Sequence, residues 1–328
     1  MSNRSNLIYL LLAFFLLLIP NELAAQTDHP AVDVSGQSDG RDRIAAIDKL
    51  QLASIPGDLP AYYSPHGASR AHSLQALLSG ELAFYSKVFD CTFAPVTLAV
   101  LNAKQWPTVS GDEPYGMPSM SDSKPWVFVM PLDWHEVTAL PMPQENSADS
   151  AIQQRVRERG VSWRTVQFQA GDGIGAHEVG HSIINQVGIN AQVNWFNEFL
   201  ASYIGYAYLK EQHPDQLLGN EIFWKSGLAA PHPFTSLRDF ETRYAELSAR
   251  YPQNYGWYEF TFEERVIEVY REQGIGFLTK VRRDFPRDGP KLSGDQVLDK
   301  LEAMHPGWKA WASHVEKGEV SPADGIVE

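Results

Sequence analysis

The sequence predicts an α+β fold: a mixed α/β lobe over residues 41–190, then an all-helical lobe over 191–328, with a metal-binding helix at their junction. Three observations lead there. Short runs rich in β-branched and aromatic residues, at 96–101 and 126–130, read as buried strands of the first lobe. Apolar residues at helical spacing dominate the second half. Between the two lies His177-Glu178-Val179-Gly180-His181, followed by Asn197-Glu198.

Residues 1–25 read as a secretory signal peptide. Arg4 supplies the basic start, residues 7–19 an almost unbroken apolar run too short for a membrane span, and Ala24-Ala25 a small-residue cleavage site. The expected destination is a periplasm or the extracellular space, with no stable membrane span after cleavage; an uncleaved anchor is the alternative. Residues 26–40, rich in Asp, Ser, Gly and Gln, form a flexible leader. A helical pattern over 41–52 is broken by Pro56-Gly57 and Pro60. A stronger helix follows, in which Leu74, Leu77, Leu78, Leu82, Tyr85, Val88 and Phe89 turn one face to the core. His66 and His72 flank its start without partner spacing and read as surface or capping residues. A Pro/Gly/Ser-rich loop over 106–124 separates the two β-rich runs. Carried on a sheet edge beside the metal helix, it suits an extended peptide adding as a further strand; otherwise it is a long connection. A loop over 141–147 leads to a helix whose Arg155, Arg157 and Arg159 form a solvated face.

Residues four apart share one face of a helix with Cβ atoms about 6 Å apart, so His177 and His181 can converge on one ion. Glu178 falls on a neighbouring stripe, beside the open coordination position and outside the ligand set. Glu198, near the start of a helix over 195–209, offers a third ligand. Three protein ligands plus one open position define a catalytic zinc site, whereas a structural site closes all four. With ten histidines and at most forty acidic residues, chance placement gives about 0.04 matches to His-Glu-x-x-His. Ile174, Val179, Ile183, Ile184 and Val187 supply the helix's apolar face, Gly173 and Gly175 a flexible lead-in, and Gly188 a stop. The blander alternative is two satisfied helix histidines near a surface glutamate. Two imidazoles and one carboxylate suit a single Zn2+ ion, and Asn197 or Asp172 are candidates to orient the imidazoles. Helical segments over 237–250, 258–271, 277–283 and 293–304 follow, and Trp308 and Trp311 lie in a last helix.

His177, Glu178 and His181, with the run Asn197-Glu198-Phe199-Leu200-Ala201-Ser202-Tyr203, resemble the gluzincin metallopeptidases, the group that includes thermolysin and the M1 aminopeptidases. The resemblance covers mainly residues 171–203. It implies a zincin-like catalytic domain, zinc held by His177, His181 and Glu198, Glu178 as general base, and a peptide or protein substrate. It also implies a transition-state stabiliser in the helical lobe. Tyr255, in Asn254-Tyr255-Gly256-Trp257-Tyr258 just before a helix, is similar in position to the aminopeptidases' tyrosine, with Tyr251, Tyr258 and His232 as rivals. Phe199 stands where the family usually has glycine. No Gly-x-Met-Glu-Asn segment, the family's grip on a free substrate amine, is present, so an endopeptidase fits at least as well as an aminopeptidase. Two other functions share the site: a hydrolase of non-peptide amides, and a peptide-binding or scaffold protein that keeps the fold with little or no turnover.

Composition narrows the partners. A net charge of −13 argues against nucleic-acid binding, which needs a basic footprint. Cys91 is the only cysteine, so no internal disulfide can form and the expected supports are the core and the metal.

Overall fold

A computed structural model describes residues 39–121, 124–137, 140, 142–228 and 231–319; the signal peptide and nearly all of the leader lie outside them. Helix α1 (Gly40–Leu50) begins where the Asp39 side chain accepts from the Arg41 amide. Strands β1 (Ala53–Ile55) and β2 (Ala61–Tyr63) follow, then the long helix α2 (Ala68–Phe89), strand β3 (Val96–Leu101), the short helix α3 (Trp106–Ser110), and strands β4 (Ser119–Met120) and β5 (Trp126–Pro131). Helix α4 (Ser150–Glu158) leads to α5 (Trp163–Val187), which carries both histidines. The remainder is helical: α6 (Asn194–Gln212), α7 (Leu217–Gly227), α8 (Leu237–Arg250), α9 (Pro252–Gln273), α10 (Gly276–Asp284), α11 (Gly294–Met304) and α12 (Trp308–Glu316). The architecture is thus α+β, with a small sheet in the first half and helices throughout. Among the described residues no helix is long and apolar enough to cross a membrane.

The five strands lie in the order β1-β2-β3-β5-β4. The central pairings β2/β3 and β3/β5 are parallel, while β1 and β4 close the two edges antiparallel. Both faces are covered, which is why the central strands are continuous apolar runs and do not alternate with polar residues. Leu98, Val100, Phe128 and Met130 join the main core with residues of α2 and α5. Ala99, Leu101, Val127 and Val129 pack with Ile47 of α1 and Trp106 of α3. The buried Arg43 ties the 106–124 loop to α1, donating to the Ser119 carbonyl at 3.0 Å and pairing with Glu113 at 3.3 Å.

Two expected element boundaries shift. Helix α5 starts at the Ser162 cap, whose hydroxyl accepts from the Thr165 amide, and runs unbroken through Gly173 and Gly175 to Gly188, which ends it in the left-handed conformation. The two glycines are therefore interior helix positions and not a lead-in. At Gly173 the reason is space, since a Cβ there would lie 1.6 Å from Oδ1 of Asn220 on α7. The segment expected over 258–271 begins earlier, with Pro252 in the first turn, where its missing N–H costs no helical bond. Tyr255 accordingly sits inside the first turn of α9.

Candidate metal centre

The centre forms where α5 and α6 touch, and the contact depends on two residues without side chains. A Cβ at Gly180 would come within 2.8 Å of the Ala201 carbonyl oxygen, and one at Gly205 within 2.9 Å of the His177 backbone nitrogen. Glycine at both positions lets the helices approach until backbone meets backbone. That spacing brings the short carboxylate arm of Glu198 to the histidines of α5. The start of α6 is fixed from α8, where the Glu241 carboxylate accepts from the Asn194 amide at 2.7 Å.

Three ligand atoms converge. Nε2 of His177 lies 3.2 Å from Nε2 of His181, and Oε2 of Glu198 lies 3.2 Å from the first and 3.1 Å from the second. Among the described residues this is the group of three that could hold a metal ion. The fit can be tested on geometry: bonds of 2.0–2.1 Å place neighbouring corners of a tetrahedron about 3.3 Å apart. The observed triangle has that size. The ring nitrogens facing away are also engaged, Nδ1 of His177 3.0 Å from the Ser202 hydroxyl and Nδ1 of His181 3.1 Å from the Asn197 side-chain amide. Such outer contacts fix the orientation of each ring.

Asn197 thus holds the orienting position expected for it, and Asp172 does not. Asp172 pairs with Arg70 at 2.6 Å, the guanidinium lying over the Phe168 ring, because a half-buried carboxylate on that stripe of α5 finds its counter-charge on α2.

The remaining oxygen of Glu198 has a partner that the sequence did not suggest. The Tyr244 hydroxyl, from α8, donates to Oε1 of Glu198 at 2.5 Å, and the Tyr255 hydroxyl lies 3.4 Å from that of Tyr244. The rivals of Tyr255 are engaged elsewhere. Tyr258 donates to the Ser236 carbonyl, His232 stacks on Trp257, and Tyr251 is exposed against Phe234.

A cavity of about 1120 Å3 opens over the triad, lined by the two histidines, Glu178, Glu198 and Tyr255, with residues 117–121 along one wall. The loop over 106–124 therefore does reach a sheet edge beside α5, ending in edge strand β4.

Electrostatics couple the groups. Burial opposes the ionised form of Glu198, but the two imidazoles outweigh it and hold the carboxyl well below its ordinary range. Burial likewise opposes the His181 imidazolium, and the Glu198 carboxylate overcomes this and pushes it up to about 9. A cation and protons thus compete for the same atoms. Burial raises Glu178, with Glu198 adding and the histidines opposing. Burial and Glu198 together raise the Tyr255 phenol, so it stays a hydrogen-bond donor at neutral pH.

Set against protein-family models, curated proteins and solved structures, the chain gives no significant match to any of them.

Proposed function

We propose that this chain is an exported, zinc-dependent peptidase. The carrying observation is the triangle of His177 Nε2, His181 Nε2 and Glu198 Oε2, sized for three corners of a tetrahedral ion, beneath a cavity large enough for several residues of substrate. When bound, such an ion supplies Lewis-acid polarisation and lowers the pKa of water from 15.7 to about 7.

The chain's own residues supply the rest. The carboxylate of Glu178, next to the His177 ligand and lining the cavity, takes the proton from the attacking water. It returns that proton to the leaving amine nitrogen as the new C–O bond replaces the C–N bond. Burial favours this exchange by lifting Glu178 above the ordinary carboxylate range. The Tyr255 phenol faces the same cavity and donates to the carbonyl oxygen as negative charge develops there. Strand β4 offers the extended substrate backbone an antiparallel sheet edge along the cavity wall. This layout, helix beside edge strand, agrees with the zincin-like domain that the gluzincin resemblance implies. The signal-peptide pattern of residues 1–25 supports export.

The test is incubation of the purified full-length protein with a mixed peptide library, with and without chelator. Peptide cleavage that chelation stops and zinc restores is the expected result. Cleavage indifferent to chelator, or none in the zinc-loaded protein, removes the proposal.

A further inference from the structure

The metal centre leaves two carboxylates of the same cavity unused, Glu263 buried and Glu259 half-buried. Glu259 and Glu263 follow Tyr255 at four-residue intervals, so the three share one stripe of α9 facing the cavity. Oε1 of Glu259 and Oε2 of Glu263 are buried without a hydrogen-bond partner. Glu263 is only 8% exposed. Among the described residues no lysine or arginine pairs with either carboxylate.

Burying an acid without a counter-charge is costly, and such groups are ordinarily paired. Here burial pushes Glu263 up to about 8 and Glu259 well above the usual carboxylate range, with Glu198 adding to the latter. What the stripe lacks is positive charge. Phe223 and Trp224 of α7 and Phe260 of α9 line the same cavity, the rings of Phe223 and Phe260 meeting edge to face at 5.1 Å. An aliphatic stem packs well on such surfaces, and a cationic head gains both from ring faces and from carboxylate oxygens.

We propose that Glu259 and Glu263, in a cavity also lined by Trp224 and Phe260, form a subsite for a substituted ammonium or guanidinium group, which selects a lysine or arginine side chain near the scissile bond. The aromatic walls favour a side chain over a bare amino terminus, because only the side chain brings an aliphatic stem to cover them. The proposal deepens the peptidase reading and rests on it for the word substrate. The binding chemistry, however, can be measured without turnover.

Binding to the full-length, zinc-loaded protein is followed by calorimetry with three probes: N-acetyl-lysine amide, its neutral counterpart N-acetyl-norleucine amide, and norleucine amide with a free amino terminus. The lysine probe should bind about tenfold or more tightly than N-acetyl-norleucine amide, the size of one charge-assisted hydrogen bond. That preference should vanish in Glu263→Gln and weaken in Glu259→Gln. Norleucine amide binding as tightly as the lysine probe would assign the cation to the amino terminus and overturn the side-chain selectivity. Equal binding of the two acetylated probes to the unaltered protein, or no binding of either, overturns the subsite whatever the variants do. Loss of the peptidase reading would instead show as absent chelator-sensitive cleavage, a separate result.

Discussion

Tyr244 and Glu198 come from different helices, yet the phenol donates to Oε1 of the carboxylate at 2.5 Å while Oε2 faces both imidazoles. One carboxylate is thereby divided between a fixed hydrogen bond and an open ligand position. Tyr244→Phe should keep the fold, since the ring still packs against Phe240, but weaken metal binding about 10–100-fold by freeing the carboxylate to rotate. Competition with a calibrated chelator measures this. Unchanged affinity would mean that α5 and α6 alone orient Glu198.

Glu178 lines the cavity without belonging to the ligand triangle. Glu178→Gln should therefore retain metal while hydrolysis falls by about 10²–10⁴-fold. Steady-state rates together with metal content separate the two effects. Full activity with metal retained would transfer the base to another residue.

The acid–base behaviour of the triad has a definite sign. In the metal-free protein the Glu198 carboxylate raises His181 from 6.5 to about 9. A raised folded-state value means that the pair stabilises the fold fully below the unfolded value, and that this contribution is lost as pH rises through about 9. Metal binding needs the deprotonated ring, so it displaces that proton and strengthens with pH over the same interval. Melting temperatures of chelated and zinc-loaded protein between pH 6 and 10 should diverge progressively. A constant gap across that range would exclude the His181 proton as the competitor.

Close helix approach makes its own prediction. Gly205→Ala places a Cβ 2.9 Å from the His177 nitrogen, so α6 must move away from α5 and carry Glu198 with it. The expected cost is about 1–3 kcal/mol of stability, with reduced metal uptake, read by thermal denaturation and by chelator competition. A variant with native stability and native metal uptake would show that the two helices have slack.

How much of this was legible in the sequence depended on range. His177 and His181 are local partners, set by helix periodicity alone, and the structure brings Glu198 to them. Helix α8 matches the expected 237–250 because it is amphipathic, with Leu237, Phe240 and Leu247 inside and charges outside. Helix α7 carried no such signal. It is buried on nearly all sides, from Leu217 to Trp224, so no polar stripe marks its period. Strands β1, β2 and β4 have two or three residues each, too few to show alternation. Tyr244, Glu259 and Glu263 acquire their surroundings only when α8 and α9 dock on α6. In sequence they are one tyrosine and two glutamates among many on helical segments.

Metal content of the purified full-length chain, measured by elemental analysis after zinc loading and dialysis, bears most directly on binding by His177, His181 and Glu198. A single zinc ion per chain is expected, lost in both His181→Ala and Glu198→Ala while each variant keeps its helical circular dichroism. Unaltered protein that retains no divalent ion, or folded variants that keep the full complement, would contradict it.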